Sequence, residues 1–534
     1  MSKTYLPLAL LAGLSLSSSL LAQPWEKAYG PRDSKDEGHR RVAQVTQCPG
    51  GGYIAIGSRD VGAVSRVYLV RTNTAGARIW EHDYDLGFDG QPDEGLALAE
   101  LRDGSGFVTT GTSQRGLGWH AHVLRVSCDG GIVFSKFYYP QFTTISPRVV
   151  GNDIREATVG NGVDTFPGDL LVAGHLASPN GIGDAMLLRL DAAGNLVWHR
   201  RYDTGATERF FGLTEARANA SGGGDIIAVG DWTDGGRSQA LVLRASGNDG
   251  SLAGGDHCMA IYGDAGAENF QSVVELRLAP NTGALVMAGM SSSPGQAEDV
   301  YLVETKPNPC SMIAQNTIGN EFGFTYREWA TDLVEVLQPV DASLGVPLGA
   351  LALTGYAENG DSVGAGGNDP NGTSVGNPPG AAPGDGDGGD PDGTSVGNPP
   401  GAAPASGGDA FLLFAKEGSL FPITARTYGD HRGAVDFGSS LSQLRNVLGP
   451  INQPRGFIIA GTTLTDWGDG DPADLYLVQP NAKASTGCEQ EWFPYGAEWR
   501  WEPRRLDPHI DKVVTEEAVH TDGHRDDTVL RICQ

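Results

Sequence analysis

Short apolar runs closed by glycine recur along this chain, and each is followed by a second apolar run. The first kind reads GYIAIG at 52–57, GFVTTG at 106–111, DLLVAG at 169–174, DIIAVG at 225–230, ALVMAG at 284–289, ALALTG at 350–355 and GFIIAG at 456–461. The second reads RVYLVRT at 66–72, HAHVLRV at 120–126, DAMLLRL at 184–190, QALVLRA at 239–245, DVYLVET at 299–305, DAFLLFA at 409–415 and DLYLVQP at 474–480. Runs this short, rich in β-branched and aromatic residues, predict strands. Their near-continuous apolarity predicts burial on both faces.

A third segment carries aromatic residues at its ends: WEKAY (25–29), WEHDY (80–84), FSKFY (134–138), WHRRY (198–202) and CMAIY (258–262), with weaker copies AQNTI (314–318), TARTY (424–428) and EWFPY (491–495). A fourth is half apolar: RVAQV (41–45), LALAE (96–100), FGLTEA (211–216), SVVEL (272–276) and DLVEV (332–336). Turns such as PGGG before Tyr53, NTAG before Ala77 and DAAGN before Leu196 supply the glycine and asparagine of tight hairpins. We name the strands a (RVAQV type), b (GYIAIG), c (RVYLV) and d (WEKAY).

Four short strands repeated seven times predict an all-β chain, a seven-bladed β-propeller of four-stranded antiparallel blades. A linear stack would need distinctive end caps, which the first and last units lack. The d aromatics are expected to pack between blades. Eight copies of d flank seven of b and c, so either the Trp25 copy or the Trp492 copy could close the ring.

These units resemble the repeat families of secreted bacterial β-propellers. Such repeats read roughly as an acid, an apolar strand, D-G-G-Y, an apolar strand ending in glycine, a Y-L-V strand and a G-N-x-x-W turn. GGGYIAIG at 50–57 and DAAGNLVW at 191–198 match best, and the likeness covers about residues 25–495. It implies the fold and no activity, because propellers host many. The D-x-x-G-x-x-x-W turns also resemble quinoprotein dehydrogenase blades. That family typically has eight blades and often adjacent cysteines, so a quinone cofactor is not expected here.

Residues 1–22 read as a signal peptide: Lys3, an apolar serine-containing run, and Ala22 before the cut. The run is too short for a comfortable span, and no cysteine precedes Cys48 to take a lipid. The mature chain is therefore expected to be secreted or periplasmic. The propeller is assigned to 23–495. A Gly/Pro/Asp-rich insertion at about 358–408, between b and c of unit six, holds GTSVGNPPGAAP twice (372–383 and 393–404) and is expected to be disordered. Residues 496–534 form a charged C-terminal tail without repeat signature, expected to pack on the ring's surface.

Six cysteines in an exported chain predict disulfides. Cys48 falls in an a–b turn, while Cys128, Cys258, Cys310 and Cys488 fall at or near c–d turns, all on one face of a disc. Adjacency favours Cys48–Cys128 and Cys258–Cys310, leaving Cys488 to hold the tail through Cys533. A Cys48–Cys488 bridge across the closure is the rival among 15 pairings.

The net charge of −27 argues against nucleic acid and is compatible with cations, basic proteins or neutral glycans. Gly-x-Ser-x-Gly at Ser374 and Ser395 lies in the low-complexity insertion, without the strand–turn–helix that a nucleophile needs. Acid clusters at Asp385, Asp387, Asp390, Asp392 and at Asp466, Asp469, Asp471, Asp474 read as acidic linkers. Calcium is the one cofactor they leave open. His520 and His524 lack an obvious third metal ligand.

Each unit also carries an acid between d and a: Glu37, Glu94, Asp153, Glu208, Glu268, Glu328 and Asp436. These either ring a central channel or accept N–H bonds within their own turns; the second reading is preferred. No residue is assigned a catalytic, cofactor or metal role. The expectation is a secreted, monomeric, non-catalytic binding or scaffold propeller presenting a loop face to a protein or glycan. The alternative is a polysaccharide-active lyase or glycoside hydrolase with carboxylates in the funnel.

Overall fold

The computed structural model describes the chain except residues 1–23, 31–35, 62–63, 87–89, 117, 141–147, 178–182, 217–223, 264–265, 293–297, 321–326, 359–407, 430–435, 446–455, 464–473, 487–489, 493, 498–503, 507–508, 512–513, 520–527 and 532–534. For residues 30, 36–40, 140, 320, 474 and the strands beyond 489 it describes the backbone.

Seven antiparallel four-stranded units follow in chain order. Blade one comprises Asp36–Gln44 (a), Tyr53–Val61 (b), Val64–Thr72 (c) and Arg78–Tyr84 (d). Blade two runs Asp93–Glu100, Phe107–Arg115, Gly118–Val126 and Ile132–Pro140. Blade three runs Arg148–Glu156, Leu170–Ala177, Gly183–Leu190 and Leu196–Asp203. Blade four is Thr207–Glu215, Asp225–Asp234, Arg237–Ser246 and Cys258–Tyr262; blade five is Ala267–Glu275, Leu285–Ser292, Glu298–Thr305 and Met312–Asn320. Blade six is Glu328–Glu335, Leu351–Glu358, Gly408–Ala415 and Pro422–Tyr428. Blade seven supplies Asp436–Gln443, Phe457–Thr463 and Asp474–Gln479, and its fourth strand is Trp25–Gly30 from the other end of the chain. The Trp25 copy therefore closes the ring.

Each b strand packs on the a strand of the next blade, and Phe457–Thr463 packs on Asp36–Gln44. One apolar core fills each of the seven junctions; that between blades seven and one holds Trp25, Tyr29, Tyr53, Tyr68, Ile458 and Leu477. Strands b and c thus bury both faces, which is why they are apolar throughout. Each buried Val, Leu or Ile stabilises by about 1.5–3 kcal/mol.

The glycine closing strand b has a steric cause. Every a–b ladder carries a register shift, and in blades two to seven it lies opposite that glycine. A Cβ at Gly111, Gly174, Gly230, Gly289, Gly355 or Gly461 would lie 1.5–2.1 Å from a carbonyl oxygen of strand a. Only glycine lets the bulged strand approach so closely.

The d aromatics lock neighbours together. Tyr29, Tyr84, Tyr138 and Tyr202 donate their hydroxyls to the carbonyls of Gly76, Gly130, Gly194 and Gly250, each in the c–d turn of the next blade. Tyr262 and Tyr428 do the same to Pro309 and Ala484. In blade five Ile318 takes the tyrosine's place, and Asn316 Nδ2 supplies the bond to Leu420 O at 2.9 Å. Trp25, Trp80 and Trp198 donate indole N–H groups to the same turns.

The bridges Cys48–Cys128 and Cys258–Cys310 are formed, each joining adjacent blades on the a–b/c–d face. Cys488 and Cys533 lie outside the described residues.

The charged tail enters the sheets backbone to backbone. The EWFPY copy does not serve as a d strand: Gln490–Trp492 adds a fifth strand to blade six, and Pro494–Ala497 adds one to blade five. Arg504–Leu506, His509–Asp511 and Val514–Val519 do so on blades four, three and two. Thr528–Arg531 then pairs with Trp25–Gly30 in blade seven. The tail runs around the rim against the chain's own direction.

Candidate functional site

Three constellations of polar residues gather where the blades meet, and each traces to a register position within the repeat.

The first is axial. The residues just past the bulge in strand a are Arg41, Ala97, Asp153, Gly212, Ser272, Asp332 and Ser440, one per blade. Arg41 lies 3.1 Å from Asp153 and 3.6 Å from Asp332 across the ring. Leu213 N–H donates to Asp153; Ser272 Oγ, Ser440 Oγ and Leu441 N–H donate to Asp332. The Arg41 side chain is 12% exposed. Burial disfavours the charge on Arg41, yet Asp153 and Asp332 outweigh it and raise its pKa. Burial raises that of Asp153, opposed by Arg41. This axial plug ties strand a of blades one, three, four, five, six and seven together.

The second is a ring of clamps. Glu100 at the end of strand a in blade two accepts the backbone N–H groups of Thr46, Gln47 and Cys48 in blade one. Glu156, Glu215 and Glu335 repeat this on blades two, three and five. Gln443 holds Leu337 and Gln338, and Gln44 holds Arg445 across the closure. The glutamate is visible in LALAE, FGLTEA and DLVEV, but its role is not, because its partners belong to the preceding blade.

The third constellation lies at the opposite face, where strands a and c begin and d ends. The recurring acid sits at Asp36, Asp93, Glu208, Glu268, Glu328 and Asp436, with Val149 in blade three. This corrects the sequence alignment. Glu37 and Glu94 stand one residue off the register, and Asp153 belongs to the axial plug, because variable d–a loop lengths blur the offset. The seven acids named from the sequence therefore do not share one register position. Asp93 accepts the Leu86 N–H and Glu208 bonds Thr204, each in its own d–a connection.

At three junctions this acid meets another from strand c of the preceding blade: Asp184 with Glu208, Asp299 with Glu328, and Asp409 with Asp436. A Cβ on Gly429, the last-strand residue's successor in blade six, would touch Asp436 Oδ2 at 2.3 Å and Asp409 Oδ1 at 2.6 Å. A Cβ on Gly319 would meet Asp299 at 2.2 Å. In blade three that position is Asp203, so three carboxylates converge. Burial raises Glu208 to about 7 and Asp299 to about 6. Glu328 is fully buried with both oxygens unpartnered; burial, then Asp299 and Glu358, raise it well above the usual range.

A buried Ser113–His122 contact of 3.1 Å is inert by environment: burial lowers His122 to about 3, leaving a neutral ring inside the blade. The sequence candidates Ser374, Ser395, Asp385, Asp387, Asp390, Asp392, Asp466, Asp469, Asp471, His520 and His524 lie outside the described residues, as does the side chain of Asp474.

The class this architecture defines is an all-β propeller of seven four-stranded blades with a plugged axis and a strand-forming tail. No protein-family model matches the chain, and no curated protein sequence does. Solved structures overlap it loosely. Sqt1 of Chaetomium thermophilum, bound to the N-terminus of ribosomal protein L10, is 11% identical over 84% of this chain and 98% of its own, with TM-score 0.37. A Synechocystis apocarotenoid oxygenase variant is 10% identical over 92% and 96%, with TM-score 0.38. Quinohemoprotein alcohol dehydrogenase of Comamonas testosteroni is 11% identical over 79% and 66%, with TM-score 0.26. Overlaps this loose carry nothing about function, and the architecture rests on the strand pairings. Among the described residues no helix is long and apolar enough to cross a membrane.

Proposed function

We propose that this chain is a secreted, non-catalytic binding propeller of the bacterial repeat type that its units resemble. It would present the face formed by the d–a and b–c connections to a protein or neutral glycan. The observation that carries this reading is the axial plug. Asp153 and Asp332 share the Arg41 guanidinium, Asp153 also meets Arg155 at 3.6 Å, and backbone and serine donors complete the set. A glycosidase needs two carboxyls free to flank a sugar, whereas here Arg41 pairs with both acids at once. The opposite face is tied down by the glutamate clamps, the tyrosine locks and both disulfides. Scaffolded loops on a rigid ring are where binding residues concentrate. Two interblade disulfides fit an oxidising compartment. The test is a glycan and protein-ligand array run beside turnover assays on acidic and neutral polysaccharides, using the purified mature chain. Saturable binding without product supports the proposal; turnover abolished by Asp153→Asn or Asp332→Asn would overturn it.

A further inference from the structure

The carboxylates at the junction of blades three and four are gathered closely enough to share a cation. Asp184 opens strand c of blade three, Asp203 ends its strand d, and Glu208 opens strand a of blade four. One oxygen from each lies within 4.8 Å of the others. That is the span of oxygens sharing one ion at about 2.4 Å. Glu208 is fully buried, and its Oε2 has no hydrogen-bond donor, while Oε1 is held by Thr204. Arg201 reaches Asp184 and Asp203, each at 3.3 Å. Three carboxyl groups thus meet beside one guanidinium among the described residues, and a divalent cation would favour the ionised form of all three.

The site is built into the repeat rather than being a chance gathering. Gly263, Gly319 and Gly429 occupy the place of Asp203 in blades four to six, and a Cβ there would strike Glu268, Asp299 and Asp436 respectively. The strand c and strand a acids therefore converge on the point where blade three adds its third carboxylate. All-oxygen, anionic and partly open to solvent, the set suits a hard ion with several ligands rather than zinc.

We propose that Asp184, Asp203 and Glu208 bind a calcium ion that pins blade three to blade four. The probe is terbium, with calcium as competitor, on the mature chain stripped with a chelator. Trp232 donates its indole N–H to Thr204 Oγ1 beside Glu208, so its excitation should sensitise a bound lanthanide. The expected result is a saturable emission displaced by calcium. Asp203→Gly installs the residue that three sister blades carry, so the fold should tolerate it. It should raise the apparent dissociation constant on the order of tenfold or more, as should Glu208→Gln. Trp232→Phe should remove the emission but leave calcium affinity by calorimetry unchanged. Calcium binding that survives Asp203→Gly and Glu208→Gln would place the ion in the acidic stretches at 385–392 or 466–474 and overturn the proposal. So would an unfolding temperature that ignores calcium while emission is absent. Neither outcome bears on whether the loop face binds a protein or glycan, which the array measures separately.

Discussion

Arg41 does at the axis what no apolar residue could: it reaches two acids from blades on opposite sides of the ring. Arg41→Ala would leave Asp332 without its cation and Asp153 with only the half-exposed Arg155 at 3.6 Å, a loss on the order of 3 kcal/mol. Chemical denaturation of the variant at pH 7.5 measures it. The deficit should shrink in acid, because buried Asp153, deprived of its closer cation, can then protonate. The tyrosine locks are smaller and repeated. Tyr138→Phe or Tyr202→Phe each orphans a buried turn carbonyl and should cost about 1 kcal/mol; Ile318→Val, where asparagine carries the bond, should lose only packing. The paired carboxylates set the pH response. Asp299, raised to about 6, and Glu328, raised further, hold more protons folded than unfolded. Their contribution is complete below the ordinary carboxylate range and is lost as pH rises through the folded values. The unfolding temperature should therefore be higher at pH 5 than at pH 8, and Glu328→Gln should flatten that slope. A steeper fall toward pH 5 in the native chain would contradict the assignment.

The elements explain how a tail without repeat signature becomes structural. Every blade ends in an outer strand whose free N–H and C=O groups invite pairing with another chain. Short tail strands occupy that edge on blades two to seven. Terminating the chain after residue 503 would expose the edges of blades two, three, four and seven. The expected outcome is an intact ring by circular dichroism with concentration-dependent self-association by light scattering. A monomeric truncate would show that the rim strands do not guard the edges. How the tail engages is illegible in sequence. Segments of three to six residues lack a periodicity that could distinguish them from loop, and their partners lie hundreds of residues away.

At the scale of the molecule, the ring is closed by mixing the two ends: Trp25–Gly30 sits between Asp474–Gln479 and Thr528–Arg531. Closure so far apart in sequence slows folding but leaves no terminal blade exposed. The long insertion is the opposite case. Glu358 and Gly408 are direct partners across one hairpin, so the chain between them leaves and returns at the same point. Replacing residues 359–407 with an Asn-Gly turn should retain the circular dichroism and unfolding temperature; loss of folding would mean that the segment contributes to the core.

What the residues alone determined is everything periodic and local. Apolar runs, closing glycines and d-strand aromatics specify four strands per unit and seven units, because a strand's burial is written in its own alternation and its neighbours'. Adjacency within that plan favoured Cys48–Cys128 and Cys258–Cys310 but left a Cys48–Cys488 rival, which the structure decided. Tertiary structure alone decided what depends on angle about the axis. Which d copy closes the ring, why Arg41 faces Asp153 and Asp332, and where three carboxylates converge all turn on register shifts at single bulges and on loops of unequal length. A bulge slides every later side chain by one place, and no count along the chain reveals it.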